Sequence, residues 1–366
     1  MKLMSSKGNE LDFSGINIYA GIDAHLKNWR VTVLFDETPF KTFSMDPDAK
    51  QLGRYMKQNF PNGNYFTAYE AGFCGYSVHR ELEKVGIKNI IVNPADIPTT
   101  DKERKQKEDS RDSRKIAYSL RSNQLRPIYI PTLMTEELRS FVRYRKSVVQ
   151  DISRNKARIK SFLYRHGIAI PEQLQISSRY WSTNFTRWLE TVRLTTPHGH
   201  TAIQSTLETV YNLRATLLKV ERQLRAIAKE PEYKDPVRWL TSIPGIGIVG
   251  AMTILSEIED MRRFENIDQL CSFVGLVPTT NSSDEREKIG GITPRNNKYL
   301  RNIIVEGAWI AIRSDPELAL AYITLCKRMK ANKAIIRIAK KLLRRIRYVL
   351  INQTEYKCTA IKTTSK

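Results

Sequence analysis

The chain of 366 residues is long enough for two or three domains, and its 41% hydrophobic residues suffice to bury a core in each. Its 60 Lys and Arg against 38 Asp and Glu give a formal charge of +22, far more than solubility requires. Such a charge favours a polyanionic partner. We find no apolar run that could span a bilayer and no signal-peptide layout, so nucleic acid is a better candidate than a membrane.

The chain contains four widely spaced cysteines, Cys74, Cys271, Cys326 and Cys358. No CxxC pair or Cys/His spacing closes a zinc site, so plain buried thiols in a reduced, cytoplasmic setting are the simplest interpretation. His198 and His200 flank a glycine in TPHGHT, which we interpret as a solvated loop rather than a metal site.

The first hundred residues predict a mixed sheet with helices packed on it, in the order βββαβαβα. NIYAGIDAHLKNWRVTVLF predicts a β-hairpin, because apolar residues occur on both sides of the polar DAHLKN. A third short strand around KTFSM and a helix from Asp46 to about Asn59 follow. A strand ending at Glu70, a helix closed by Gly86 and a strand in KNIIVNP complete this region.

Two long helices are predicted in the middle of the chain, from Thr135 to about Gly167 and from about Ala202 to Ala228. Their polar connection suggests an antiparallel hairpin or coiled coil that serves as a spacer or dimerisation arm. An ordinary helical bundle is the alternative. Pro231 and Pro236 mark the boundary of a third region.

Two features of the third region suit a nucleic-acid partner. IPGIGIVGA predicts a tight turn between helices, as in a helix-hairpin-helix, where the backbone at Gly245 and Gly247 can face a phosphate. Glycine-mediated packing of two helices is the alternative. From Lys327 to Arg347 the chain has ten Lys or Arg, no acid and an apolar stripe, so one face should pack while the other meets phosphate. The residues assigned to this contact are Lys327, Arg328, Lys333, Arg337, Lys340, Lys341, Arg344 and Arg345.

Four acids form a candidate metal cluster. Asp23 and Glu70 each end a predicted strand, and Asp109 and Asp112 lie one helical turn apart in KEDSRDSRKIAYSL. A polynucleotide-cutting site needs converging carboxylates, since Mg²⁺ prefers oxygen ligands and the phosphate brings its own negative charge. Each acid alone is more simply a turn former, a solvated strand end or compensation for neighbouring lysines. The surrounding TTDKERKQKEDSRDSRK is equally compatible with a flexible charged loop.

The motifs YAGIDAH, YEAGFCGYSVHREL, VNPADI and KEDSRDSRKIAYSL together resemble the N-terminal domain of DEDD-type insertion-sequence transposases, which is RNase H-like of the RuvC type. LTSIPGIGIVGAMTILSEIEDMRRFENIDQLCSFVGLVP, followed by NSSDEREKIGGITPRNNKYLRNIIVEGAW, resembles the C-terminal domain of the same family. The resemblance covers nearly the whole chain. It implies a RuvC-like catalytic α/β domain over 1–132, a helical coiled-coil dimerisation arm over 133–232 and a mainly α transposase domain with a helix-hairpin-helix over 233–366.

The resemblance also implies a serine nucleophile in NSSDEREKIGG, a segment that is polar and loop-like by itself. Counted from the preceding GLVP, Ser283 is the better match and Ser282 the second choice. The chain departs from the family pattern at Asp284, where a glycine commonly follows the serine, and in PRNNKYLR, where a glycine commonly precedes LR.

The implied activity is RNA-guided DNA recombination. In such an enzyme Asp23, Glu70, Asp109 and Asp112 hold Mg²⁺ while a serine forms a covalent link to DNA. The implied partners are donor and target DNA, a structured bridge RNA and further copies of the chain in a dimer or tetramer. The expected location is the bacterial cytoplasm, in association with the nucleoid.

Two other functions fit the same residues. A Holliday-junction-type endonuclease would use the same carboxylates with water as the nucleophile. A non-catalytic nucleic-acid-binding scaffold would use the acids only to offset local positive charge.

Overall fold

A mixed five-stranded sheet forms the centre of the first part of the chain. The structure, a computed structural model, describes residues 11–36, 38–98, 109–176, 180–194, 196–283 and 286–358. It divides into two units, Met1–Ile130 and Pro131–Lys366. The strands of the first unit are β1 (Asn17–Ala24), β2 (Trp29–Phe35), β3 (Thr38–Met45), β4 (Asn64–Glu70) and β5 (Lys88–Val92).

The sheet has the strand order β3-β2-β1-β4-β5. Strands β1 to β3 form an antiparallel meander, whereas β4 runs parallel to β1 and β5 parallel to β4. Parallel neighbours require crossover connections, and helices supply them here. Helix α1 (Ala49–Asn59) precedes β4, α2 (Ser77–Lys84) precedes β5, and α3 (Asp109–Arg121) follows. The mixed sheet with packed helices is therefore confirmed.

Alternation of side chains gives the sheet two different faces. On one face, Ile18 and Ile22 of β1 are buried together with Leu52 of α1. On the other face, Ala68 of β4 is buried together with Ile116 of α3. Helix α3 therefore covers the face opposite to that covered by α1.

Gly21 of β1 allows α3 to lie directly on the strand. A Cβ atom at this position would overlap the carbonyl oxygen of Ser113 and the amide nitrogen of Ala117, both in α3. Beside it, the hydroxyls of Thr32 and Ser113 form a buried hydrogen bond of 2.9 Å that joins β2 to the same helix. The position of α3 therefore depends on a glycine in β1.

The second unit is mostly helical. Its helices are α4 (Leu133–Arg165), α5 (Thr183–Thr191), α6 (Pro197–Ile227), α7 (Pro231–Thr241), α8 (Ile248–Ile258), α9 (Ile267–Val274), α10 (Lys298–Ser314), α11 (Pro316–Cys326) and α12 (Ala331–Asn352). An antiparallel hairpin of β6 (Pro278–Ser283) and β7 (Arg286–Ile292) follows α9. Short 3-10 turns occur at Glu172–Leu174 and Met261–Arg263, and another lies in the first unit at Pro94–Asp96. In the part of the chain that is described, no helix combines the length and the apolar character needed to span a membrane.

Helices α4 and α6 form a long antiparallel pair. Leu163 near the end of α4 shares a buried cluster with Ile203 near the start of α6. Earlier in α4, Arg145 donates to Glu221 late in α6, over 2.5 Å. Early residues of one helix therefore meet late residues of the other, which requires opposite directions. The two predicted long helices are confirmed.

Two segments that the sequence predicts as loops have regular structure. The segment TPHGHT begins α6, with Pro197 as its first residue and His198 and His200 in its first turn. A proline suits this position because the first helical N–H has no partner inside the helix. The segment NSSDEREKIGG contributes to β6 and β7, whose pairing is made by backbone groups and does not require an apolar sequence. Both loop predictions were wrong.

Prolines also occur where α6 gives way to α7. Pro231 is in the first turn of α7, and Pro236 lies inside that helix. The buried core of the second unit includes Ile254 of α8, Ile304 of α10 and Leu342 of α12.

Replacing Gly21 with alanine is expected to destabilise the first unit by about 2 to 3 kcal/mol, because the added methyl group forces α3 away from β1. Hydrogen exchange of β1 and α3 peptides in increasing urea measures this free energy. Gly72→Ala is the matched control, since a Cβ there meets only the Glu70 carbonyl oxygen, at 3.8 Å. Equal stability of the two variants would contradict the close contact.

Candidate active site and basic helix

Asp23 and Glu70 lie on the same face of the sheet and at the same edge. Their strands β1 and β4 are parallel neighbours, with Gly21 paired to Ala68. Because side chains alternate along a strand, Asp23 projects on the side of Gly21, and Glu70 on the side of Ala68. Both acids are therefore on the face that α3 covers. The Asp23 side chain is 19% exposed, and Glu70 is exposed.

Helix α3, which covers this face, contains the Asp-x-x-Asp pair in its first turn. It begins at Asp109, and Asp112 directly precedes Ser113, whose carbonyl oxygen lies against Gly21. Asp112 is half-buried, whereas the side chain of Asp109 lies outside the described part of the structure. Gly21 is two residues from Asp23, or about 7 Å along the strand. The contact at Gly21 therefore places Ser113, in the second turn of α3, against β1 two residues before Asp23.

His25 is a neighbour of this site that sequence reasoning missed. Its Nε2 lies 3.1 Å from Oδ2 of Asp23, and the histidine side chain is 46% exposed. The only sequence signal was the spacing in DAH, which places the two residues on either side of the end of β1. Arg30 of β2 pairs with Asp23 across the hairpin and donates to the Ser44 hydroxyl, over 2.9 Å.

The chemistry of these donors fits a hard divalent cation, because carboxylate oxygens are the ligands that Mg²⁺ prefers. Among the residues that the structure describes, no three His, Cys, Asp or Glu side chains are close enough to hold an ion between them. Asp23 and Glu70 therefore share a sheet face, and Asp112 lies on the helix that covers this face, but the three acids do not form a closed cage. The fourth predicted ligand, Asp109, has no described side chain.

The two candidate serines are the last residues of β6. In the hairpin, Ser283 pairs with Arg286 and Ser282 with Glu287. Residues 284–285, which connect the strands, and the side chains of both serines lie outside the described part of the structure. A nucleophile at Ser283 would thus be presented at the end of a strand in the second unit.

The two glycines of the turn between α7 and α8 have different surroundings. Gly245 has a φ of +93°, and a Cβ there would overlap the carbonyl oxygen of Gly307 in α10. Close packing of helices therefore accounts for Gly245. This is the glycine-mediated packing that the sequence analysis gave as the alternative to a phosphate contact. Gly247 has no atom within 4 Å of its would-be Cβ, and it lies just before α8. Of the two, only Gly247 keeps open space for a phosphate.

Helix α12 is strongly amphipathic. Its apolar residues Ile335, Ile338, Leu342 and Ile346 are buried in the core of the second unit. Most predicted phosphate-binding residues are exposed, and Lys340 is half-buried. The exposed set is Lys327, Arg328, Lys333, Arg337, Lys341 and Arg344, of which the first two precede the helix. This cationic surface has the position that a phosphate contact requires.

Arg345 is used inside the protein, which corrects its assignment to the phosphate-binding set. Its guanidinium donates to Asp315 over 2.5 Å and to Glu317 over 2.7 Å. The Arg345 side chain is 11% exposed and that of Asp315 is fully buried. Sequence reasoning missed this because the two acids lie about 30 residues earlier and meet α12 only in the fold. Arg345 stabilises the second unit rather than extending the cationic surface.

Asp315 also links the start of α11 to Tyr356, which follows α12. Its Oδ1 accepts the N–H of Leu318, and its Oδ2 accepts the Tyr356 hydroxyl. Burial raises the pKa of this carboxyl, but the hydrogen bonds from Leu318 and Arg345 outweigh it and hold the pKa below its usual value. The charged carboxylate therefore contributes stability above its unfolded pKa. That contribution is lost as the pH falls through the lower folded pKa.

Comparison with known proteins identifies the class to which these two units belong. Residues 20–168 match the family model of IS110-type DEDD transposases, and residues 237–323 match the transposase IS116/IS110/IS902 family. The chain therefore belongs to the IS110/IS116 family of insertion-sequence transposases, enzymes that cleave and transfer DNA strands.

Individual relatives agree with this assignment. The chain is 30% identical over 245 residues to the putative transposase y4qE of Sinorhizobium fredii, covering 67% of this chain and 58% of the relative. It is 25% identical to the transposase of insertion sequence element IS1533 from Leptospira borgpetersenii, covering 80% and 84%. It is also 25% identical to the transposase of element IS1111A from Coxiella burnetii, covering 78% of each chain.

Arg345→Gln is expected to destabilise the second unit by about 3 kcal/mol, because the buried Asp315 carboxylate loses its charged partner. Arg344→Gln, at the exposed neighbouring position, should leave stability unchanged and weaken duplex DNA binding with a shallower salt dependence. Urea unfolding between pH 3 and 7 and fluorescence anisotropy at several salt concentrations measure the two effects. The Arg345 variant should also lose part of the acid sensitivity. Equal stability of both variants would show that Arg345 has no structural role.

Proposed function

We propose that this chain is an RNA-guided DNA recombinase that cuts and rejoins strands at the ends of an insertion sequence. The observation that carries the proposal is the placement of Asp23 and Glu70 at the ends of adjacent parallel strands, on the face covered by α3, the helix that contains Asp112. A structural role for these acids would not require them to share one face of the sheet. Carboxylates that do share a face can act together on one phosphate.

The first unit is proposed to have an RNase H-like fold of the RuvC type. Support comes from the strand order β3-β2-β1-β4-β5, with three antiparallel strands followed by two parallel ones. The location of α3 on the face opposite to α1 is further support. The arrangement places the loops that follow β1 and β4 at one edge, which is where an open α/β sheet commonly carries its site.

The acids Asp23, Glu70, Asp109 and Asp112 are proposed to hold Mg²⁺. A bound divalent cation supplies neutralisation of phosphate charge, which lets a weak nucleophile approach. The basic residues of α3, including Arg114 and Lys115, would attract the DNA backbone to this edge. This edge of the sheet would thus combine carboxylates that bind a cation with Arg and Lys side chains that bind phosphate.

Ser283 is proposed as the nucleophile, with Ser282 as the second candidate. Its Oγ would form a bond to phosphorus while the bond from phosphorus to the leaving deoxyribose oxygen breaks. The serine proton would pass to a carboxylate acting as a general base, and the leaving oxygen would take up a proton from solvent. The energy of the phosphodiester is kept in the serine–DNA bond, so a second strand can be joined without another energy source.

The exposed cations of α12 are proposed to bind the nucleic-acid partners. The face that carries Lys333, Arg337, Lys341 and Arg344 is exposed, whereas the opposite apolar face is buried. Phosphate contacts of this kind are independent of base sequence, so a separate guide must choose the target. Resemblance to the family supports a bridge RNA in that role, with the protein acting as a homodimer or homotetramer.

Ser283→Ala is expected to abolish the covalent protein–DNA adduct, because in the proposed mechanism the Ser283 hydroxyl supplies the attacking oxygen. The wild-type protein is incubated with DNA of the element's ends and with RNA transcribed from the sequence flanking the coding region. Denaturing gels then separate the adduct from free protein. Ser282→Ala is the matched control and should retain the adduct. Undiminished strand exchange by the Ser283 variant would instead favour a water-dependent junction endonuclease.

Asp112→Asn is expected to reduce Mg²⁺-dependent strand cleavage by roughly 100-fold or more, since loss of a ligand removes several kcal/mol of charge stabilisation. Duplex binding at low salt should change little. Glu81→Gln, an exposed acid on α2, is the control and should cleave normally. Cleavage by the Asp112 variant at the wild-type rate, with the same Mg²⁺ dependence, would remove the metal site and favour a binding scaffold.

A further inference from the structure

Lysine side chains lie next to aromatic rings at one end of the α4/α6 pair, the end that is distant from α8. We call this end the arm tip; it comprises the last three turns of α4, residues 166–176 and 180–182, and α5. Lys160 Nζ lies 5.7 Å from the ring centre of Tyr164 and 4.8 Å from that of Tyr180. Lys156 Nζ lies 5.2 Å from the ring centre of Trp181. Two cations therefore lie over three aromatic rings within a few turns.

The arm tip is cationic. Between Asp151 and Glu172 the chain contains no acid and five basic residues, Arg154, Lys156, Arg158, Lys160 and Arg165. All of these except Lys156 are exposed. Burial and, next, the nearby charge of Arg214 lower the pKa of Lys156. A bound anion would relieve this repulsion.

Two clefts on the arm tip are each lined in part by residues of the segment Ile170–Gln175. One has a volume of about 350 Å³ and is lined by Tyr164, Tyr180 and Gln175. The other, of about 610 Å³, is lined by Trp188 together with the polar side chains of Asn184 and Arg187. These volumes are in the range of small-molecule pockets. Each cleft combines an aromatic ring with groups that can hydrogen-bond to the edge of a base.

The exposed tyrosine is not explained by the packing of the arm. Phe185 is buried among Tyr180, Trp181 and Trp188, which together support the inside of the tip. Tyr164 belongs to no such cluster, and 61% of its surface is exposed. Aromatic rings next to lysines are the usual platform for unpaired nucleotides. Every base has a face that can stack on a ring, and the phosphate of every nucleotide can bind a cation. Bases in a duplex have their faces covered and cannot stack in this way.

We propose that the arm tip binds unpaired nucleotides of a single-stranded nucleic acid, with a base against Tyr164 and Tyr180 and its phosphate on Lys160. The second cleft would take a neighbouring nucleotide against Trp188. The inference rests on the proposed function, because it assigns a further contact of the same nucleic-acid enzyme. It adds a site in the helical arm, far along the chain from the acids and from α12. Unpaired RNA and unpaired DNA share this chemistry, and the experiment separates them.

Tyr164→Ala in the full-length protein is expected to weaken binding of a 12-nucleotide single strand by roughly 5- to 100-fold, the effect of losing one stacked base. Fluorescence anisotropy with single-stranded RNA, single-stranded DNA and a duplex of the same sequence measures it. Duplex binding should be unchanged. Tyr164→Trp should restore binding, since it keeps a stacking surface. The strand that loses more affinity on Tyr164→Ala identifies the natural ligand.

Tyr144→Ala is the matched control. Tyr144 lies on the same helix, is 49% exposed, and is 20 residues from Tyr164, or about 30 Å along α4. Its replacement should leave all three affinities unchanged. Cross-linking with single strands that carry 5-iodouracil should modify a peptide containing Tyr164 or Tyr180 in the wild-type protein.

The proposal is overturned if Tyr164→Ala binds both single strands as tightly as the wild-type protein, or if the cross-links map outside the arm tip. It is also overturned if the variant loses self-association instead, as measured by analytical ultracentrifugation, because the tip would then be a contact between copies. These results are separate from the adduct assay. Normal adduct formation with unchanged single-strand binding removes only the arm-tip site, whereas tip cross-links without any adduct remove only the recombinase proposal.

Discussion

The direct contact of α3 with the backbone of β1 at Gly21 is the constraint on which the candidate active site depends. Any side chain at this position would separate the helix from the sheet, because a carbonyl oxygen and an amide nitrogen of α3 occupy its space. The buried hydrogen bond between Thr32 and Ser113 fixes the helix along its axis. These two contacts hold the backbone next to Asp112 against the sheet, so the position of the helix that contains this acid follows from packing.

The positive charge of the chain has two separate uses. Arg143 donates to the buried carboxylate of Glu257 over 2.7 and 2.8 Å, and Arg345 is paired with Asp315 in the same unit. Such arginines replace the water that a buried carboxylate has lost. Removing either arginine would leave its carboxylate partner as an uncompensated buried charge. The exposed cations of α12 and the arm tip remain in solvent. They produce the field that attracts polyanions.

Much of the fold could be predicted because its signals are local. The strands around Asp23 and Glu70 have alternating apolar residues, and α12 has an apolar stripe, so their type and exposed faces follow from periodicity. Local signals failed where a residue type is common in more than one kind of structure. The proline and glycine of TPHGHT are typical of loops, yet Pro197 begins a helix. The polar strands β6 and β7 lack the pattern entirely, since backbone pairing needs no particular side chain.

The sequence by itself determined the mixed sheet, the long helices, the amphipathic basic helix and the spacing of the acids, since each of these depends on residues close together in the chain. Only the tertiary structure decided which residues meet. It placed Asp23 and Glu70 on one sheet face, put His25 beside Asp23, buried Arg345 against Asp315 and explained Gly245 by its contact with Gly307. These outcomes depend on packing between segments tens of residues apart. No periodicity in a single segment contains that information.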